Sequence, residues 1–176
     1  YLGAREYGRM KTSVYTALIS FAAVSVLLGM FGFAMCGPIL NALHTPQNIL
    51  ADAVLYLRIY FVGLPFLFMY NILSSVFNAL GNSKTPLYLL IFSSLLNVGL
   101  DFVMVLAFGM GVAGVAVATV TAQGLSAVIS FFLLVHTLRG FRPEAGQEEN
   151  AYYNWTMLWG MVKIAIPSML QQSIVS

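Results

Sequence analysis

The sequence predicts an all-α membrane protein, a polytopic helical bundle. Three observations predict it. Only 8% of the 176 residues are charged, 60% are hydrophobic, and the mean hydropathy is +0.86. A soluble domain carries about 25% charged residues. Apolar runs long enough to cross a bilayer are separated by short links rich in Gly, Pro and Asn. Between Lys84 and Arg139 the only charged side chain is Asp101. The lipid bilayer is the expected surrounding, and a net charge of +2 gives no ground for a nucleic-acid partner. The single cysteine, Cys36, has no partner for an internal disulfide and no metal motif around it, so it reads as a small packing residue. The chain opens in a polar loop without Met and stops in an apolar helix, as expected of a piece of a longer protein.

Tyr1 to Lys11 is polar and basic. A first span is expected from about Ser13 to Met35, ended or bent at Gly37-Pro38. His44-Thr45-Pro46 is a turn signal, with Thr45 as N-cap and Pro46 opening the next helix. The second span, about Ile49 to Leu80, exceeds the ~20 residues a crossing needs, so it should tilt or project into water. Pro65 should kink it and is a hinge candidate. Arg58 is expected to snorkel to the interface. It is not spaced to pair with Asp52. Tyr56 and Tyr60 share a face, and Tyr56 and Asn71 are candidate cavity residues. Gly81 to Pro86 is a tight loop, and the third span runs from Pro86 to Ala107. The fourth span, Val112 to about Leu138, opens on small residues. Its Gly114 and Ala118 stand at a spacing that lets a neighbouring backbone come close. Gln123 follows on roughly the same side and is a third cavity candidate.

The stretch from Arg139 is hydrophilic and reads as a solvated linker. Tyr152, Tyr153, Trp155 and Trp159 form an interfacial aromatic belt. A fifth span begins near Trp155, with Pro167 in Ala165-Ile166-Pro167-Ser168 echoing Pro65 in Gly63-Leu64-Pro65-Phe66 and offering a second hinge.

Asp101 carries the strongest functional signal. A carboxylate at membrane depth costs roughly 2.5 kcal/mol or more, so it faces the protein interior or water and marks a functional position. Asn97 lies four residues earlier, on the same helix face. Asp101 precedes, and Thr119 follows, the Phe108–Gly111 turn by similar distances, roughly 10–12 Å at a rise of ~1.5 Å per residue. An antiparallel pair would therefore bring Asp101 and Thr119 to one level. Amide carbonyl, carboxylate and hydroxyl make an all-oxygen set suited to a hard cation. The competing reading is structural: membrane Asn often only bridges helices, and Thr often bonds its own backbone.

Taken together, Leu2-Gly3-Ala4, Tyr56-Leu57-Arg58-Ile59, Gly63-Leu64-Pro65-Phe66, Asn78 to Pro86, Asn97 to Asp101 and Gly111 to Thr119 resemble the multidrug and toxic compound extrusion (MATE) transporters, in particular a bacterial DNA-damage-inducible branch. The resemblance implies part of a twelve-helix, two-lobe antiporter fold. Residues 1–138 would be four spans of the N-terminal lobe, helices three to six. Residues 139–153 would be a cytoplasmic inter-lobe linker, and 154–176 the first helix of the second lobe. It implies export of cationic amphipathic drugs in exchange for Na⁺ or H⁺, by a monomer in the cell membrane, with no cofactor. It implies a cation site at Asn97, Asp101 and Thr119, completed by an acidic residue on a first helix outside this chain, and a place for Tyr56 in the cavity wall.

A lipid-linked saccharide flippase of the same superfamily is the alternative. Those usually need a basic cavity for phosphates, and the third and fourth spans contain no Lys or Arg before Arg139. An enzyme is not expected. An intramembrane aspartyl protease, to whose motif Gly99-Leu100-Asp101 is similar, needs two Asp, and there is no phosphate-binding G-x-x-x-x-G-K-[ST] motif. A purely structural protein leaves Asp101 unexplained.

Basic and neutral links alternate strictly: Arg5/Arg9/Lys11, then residues 41–48, then Lys84, then 108–111, then Arg139/Arg142. The positive-inside rule places the basic links in the cytoplasm. In cells carrying the full-length protein, single cysteines near Thr45 and Gly109 are therefore expected to react with an impermeant thiol reagent from outside. Those at Ser83 and Gln147 should react only after permeabilisation. Labelling of Ser83→Cys in intact cells would contradict this orientation.

Overall fold

The structure is a computed structural model and describes residues 6–141 and 152–175, with side chains up to residue 167. It holds five α-helices: α1 (Tyr7–Ala42), α2 (Gln47–Ala79), α3 (Lys84–Phe102), α4 (Gly111–Gly140) and α5 (Trp155–Val175). A five-residue π-helical turn, Val103–Ala107, continues α3. Among the described residues four helices are long and apolar enough to cross a membrane: α1, α2, α3 with its π turn, and α4. This is a multi-pass membrane protein.

The helices overrun several expected boundaries. α1 begins at Tyr7 and passes through Gly37-Pro38 to Ala42, so Pro38 does not end it. α1 stops instead at a Schellman cap. The Thr45 N–H donates to the Leu40 carbonyl and the His44 N–H to the Asn41 carbonyl, with His44 in the left-handed region at φ 55°. His44 is thus a helix-capping residue. α2 starts at Gln47, and its N-cap is Pro46 with no side-chain cap bond, so Thr45 does not cap it. Its far end repeats the Schellman pattern. Asn82 N–H donates to Phe77 and Gly81 N–H to Asn78, with Gly81 at φ 79°, as the glycine there predicts. Asn82 then hooks the start of α3, accepting from the Thr85 N–H at 3.3 Å and donating to the Thr85 hydroxyl at 2.8 Å. Arg139 and Gly140, expected in the linker, are the end of α4, and residues 142–151 lie outside the described residues.

Two compact units form. One is Phe21–His136; the other gathers the segments that flank it on either side. In the flanking unit α5 starts at Asn154, whose carboxamide oxygen accepts from the N–H groups of Thr156 and Met157. The Asn154 N–H donates to the hydroxyl of fully buried Thr16 on α1, and Tyr15 packs edge-on against Tyr152. Tyr152, Trp155 and Trp159 are exposed, as an interfacial belt requires.

In the Phe21–His136 unit the helices pack through small residues. A Cβ at Gly29 of α1 would lie 2.8 Å from the Phe61 carbonyl oxygen, and one at Gly32 would enter the Phe61 ring. Phe61 is four residues before Pro65, so its carbonyl lacks its helical donor, and α1 closes over it at Gly29. Gly63 of α2 faces Val120 of α4, and Phe66 packs over Gly124. Cys36 is 1% exposed and its thiol donates to the Gly32 carbonyl, consistent with a packing role.

A Cβ at Gly63 would overlap the branched, stiff Val120 side chain. In the full-length protein Gly63→Ala is expected to lower stability by about 1–3 kcal/mol in a reversible unfolding titration in micelles. Adding Val120→Ala should recover part of that loss. Strictly additive effects would show that the two helices do not meet there.

Candidate functional site

The site is built by α2, α3 and α4. Gly114 of α4 has no side chain, and a Cβ there would lie 3.2 Å from Cβ of Met104 in the π turn. Ala116, Ala118 and Ala122 are fully or almost fully buried. This small-residue face lets α4 approach α3 closely enough for short polar side chains to touch. They do: the Asn97 Nδ2 donates to the Thr119 Oγ1 at 3.3 Å.

That pairing corrects the expected level. Thr119 meets Asn97, one turn further from the connecting turn than Asp101. The π turn supplies a physical reason. Its Phe108 N–H reaches back five residues to the Val103 carbonyl, and Met110 reaches back to Met104. More residues per turn occupy less axial length, which moves the level of Thr119 along α3 towards Asn97 by a fraction of the ~5.4 Å turn. A run of apolar residues carries no visible signal for a π turn.

Asp101 sits at the end of α3, immediately before the π turn, one helical turn from Asn97. Its residue is partly exposed, but its Oδ1 is buried and has no hydrogen-bond partner among the described residues. A buried carboxylate oxygen with no donor costs free energy unless a proton or a cation meets it.

A cavity of about 220 Å³ opens beside the Asn97–Thr119 bridge. Leu67, Tyr70 and Asn71 line it from α2, Leu90, Ser93, Ser94 and Asn97 from α3, and Thr119, Ala122 and Gln123 from α4. Two expected cavity residues, Asn71 and Gln123, are thus brought to the same space as Asn97 and Thr119. Tyr56 is not among the lining residues. Its ring stacks on Tyr60 with centroids 6.4 Å apart, so the shared face forms an aromatic pair. Tyr70, Ser93 and Ser94 line the cavity and were missed. On the sequence Ser93 and Ser94 look like helix-compatible filler, and only the register of three helices makes them wall residues. Asn71 spends its amide on the Leu67 carbonyl at 2.8 Å. Pro65 lies inside α2 and Pro167 inside α5, neither ending its helix. No group of three or more His, Cys, Asp or Glu side chains that would hold a metal occurs among the described residues. A cation here would be met by amide, hydroxyl and carboxylate oxygens.

The family model described as MatE matches residues 1–103. The chain belongs to the MatE family. It is 33% identical over 177 residues to "Probable multidrug resistance protein YpnP" of Bacillus subtilis, covering 99% of this chain and 38% of that protein. It is 24% identical over 169 residues to "Multidrug export protein MepA" of Staphylococcus aureus, covering 96% of this chain and 37% of that protein. The chain therefore spans well under half the length of the curated relatives it matches. Among solved structures, an inward-facing multidrug resistance MATE family transporter of the MOP superfamily superposes with a TM-score of 0.80 at 17% identity. That match covers 97% of this chain and 38% of that one. A MOP superfamily transporter from Pyrococcus furiosus superposes equally well, over 95% of this chain and 36% of that one. These likenesses place the helical MatE fold on the chain.

The Asn97–Thr119 bridge makes a stability prediction. In a double-mutant cycle of Asn97→Ala and Thr119→Val in the full-length protein, the coupling free energy should be about 0.5–1.7 kcal/mol in favour of the pair. Zero coupling in unfolding titrations would remove the bridge.

Proposed function

We propose that this chain is part of an ion-coupled exporter of cationic amphipathic compounds, with Asn97, Asp101 and Thr119 forming the coupling-ion position. The observation that carries this reading is the buried, unpartnered Asp101 Oδ1, one turn from the Asn97–Thr119 bridge. An acid at that depth is expensive unless its charge is used. A proton or Na⁺ bound there would neutralise it, and its loss would leave a negative site that attracts a cationic substrate. Export would then follow from competition between ion and substrate, or from their opposite preferences for two states of the transporter.

The adjoining cavity, at about 220 Å³, is smaller than the ~300–1,000 Å³ of whole small-molecule sites. It suits a hydrated ion, or the part of a drug that enters the N-terminal lobe. Asn71 and Gln123 would then contact substrate, and Pro65 and Pro167 would bend their helices as the states exchange. The names of the multidrug resistance and export relatives support drugs as substrates, and the cationic class is proposed from Asp101. The flippase reading is less favoured, because the cavity lining contains no Lys or Arg to hold a phosphate. The transporter is proposed to work as a monomer in the cell membrane, its basic links cytoplasmic.

The test is Asp101→Asn in the full-length transporter, reconstituted in vesicles loaded with ethidium under an imposed Na⁺ or H⁺ gradient. The size is kept and the titratable charge removed. A purely structural role would make Asn neutral or favourable, since the desolvation cost falls. A coupling role predicts a loss of gradient-driven efflux of roughly tenfold or more at normal expression. Asn97→Ala and Thr119→Ala should weaken the same step less, each removing one neutral group. Full efflux by Asp101→Asn with unchanged ion dependence would take Asp101 out of the mechanism.

A further inference from the structure

A second cavity lies away from the polar one, between α1 and α2. It has a volume of about 380 Å³ and is lined by Val26, Gly29, Met30 and Phe33 of α1 and by Phe61, Val62 and Pro65 of α2. No lining side chain is polar. Its floor exists because Gly29 and Gly32 let α1 sit directly on Phe61, and because Pro65 interrupts the regular surface of α2. Val62 and Met30 are 59% and 66% exposed, so no described residue covers the groove.

One charged group stands at its edge. The Arg58 guanidinium lies over the Phe33 ring, 5.4 Å from the centroid, and Phe33 is itself a wall of the groove. This cation–π contact places the guanidinium beside the groove wall. Among the described residues no carboxylate forms an ion pair with Arg58. From Arg58 to the end of α2 at Ala79 is about 31 Å at ~1.5 Å per residue, close to the ~30 Å hydrocarbon thickness. With the Gly81–Lys84 loop at one membrane face, Arg58 falls at the headgroup level of the other.

We propose that this groove binds an anionic phospholipid, one acyl chain lying against Gly29, Phe61 and Val62 and the phosphate held by Arg58. Each half of the site selects for one half of the ligand. The unbroken apolar lining takes a hydrocarbon chain and offers nothing to a polar head. A guanidinium is the side chain best matched to a phosphate, which it can grip through two parallel N–H donors. The same positive charge disfavours the cationic compounds proposed for the polar cavity, so the two sites are chemically distinct. The lipid would also complete the α1–α2 contact where Pro65 weakens α2.

The experiment uses the full-length transporter in nanodiscs of equal phosphatidylglycerol and phosphatidylcholine, with retained lipids counted by native mass spectrometry after stepwise detergent stripping. Wild type should retain phosphatidylglycerol preferentially. Arg58→Gln should cut that preference roughly tenfold, since one charge-assisted contact is lost, and should remove the rise in melting temperature that phosphatidylglycerol gives the wild type. Val62→Trp, which fills the groove from its exposed side, should reduce retention of both lipids, and it keeps the question decidable if Arg58→Gln fails to insert. Three results would overturn the proposal. One is equal preference in Arg58→Gln and wild type. Another is unchanged retention in Val62→Trp, which would mean that another part of the protein occupies the groove. The third is loss of the preference on adding millimolar inorganic phosphate, which would make it a site for soluble anions.

Discussion

The structure depends on one constraint: inside a bilayer, polar groups must find partners within the protein. The Asn97–Thr119 bridge is that constraint acting between α3 and α4. An amide and a hydroxyl too costly to leave in lipid are brought face to face. They can meet only because Gly114, Ala118 and their neighbours keep the helix surfaces thin. The small-residue face, the bridge and the polar cavity are therefore one device. Among the described residues the buried Oδ1 of Asp101 is the one carboxylate oxygen without a partner, alongside four serine hydroxyls, and it is the observation on which the proposed coupling role rests.

The same constraint explains the prolines and glycines. Pro65 removes a donor from the middle of α2 and strands the Phe61 carbonyl. Gly29 lets α1 close over it. The carbonyl freed by the proline is thus covered by a close helix contact, and beside that contact lies the apolar groove. At the helix ends, where water or headgroups are near, the backbone is satisfied by Schellman caps at His44 and Gly81 and by the carboxamides of Asn82 and Asn154.

Much of this was legible in the sequence, and what was not has a physical cause. The four spans and the Gly81 cap follow from hydropathy and turn chemistry. Those rules are local, or nearly so. The meeting of Asn71 with Asn97, Thr119 and Gln123 at one cavity depends instead on the register of three helices. The pairing of Thr119 with Asn97 was not visible because the level depends in part on the rise of the helix between, and a π turn in Val103–Ala107 looks the same as an α turn when every residue is apolar. The sequence left open whether Gly37-Pro38 ends or bends the first helix, because a missing donor at position 38 fits either outcome; α1 continues through it to Ala42. Tyr56 shares a face with Tyr60 as spacing requires, but which space that face borders is set by neighbouring helices.

The α3–α4 register is the claim on which the site stands, and it can be measured directly. Two double-cysteine variants of the full-length transporter, Asn97→Cys/Thr119→Cys and Asp101→Cys/Thr119→Cys, can be treated in native membranes with a short bis-methanethiosulfonate reagent. Bridged peptides are then quantified by mass spectrometry. The structure predicts rapid, near-complete bridging between positions 97 and 119 and slower bridging between 101 and 119. The reverse order would contradict it, placing the hydroxyl against the carboxylate and dissolving the bridge around which the cavity is built.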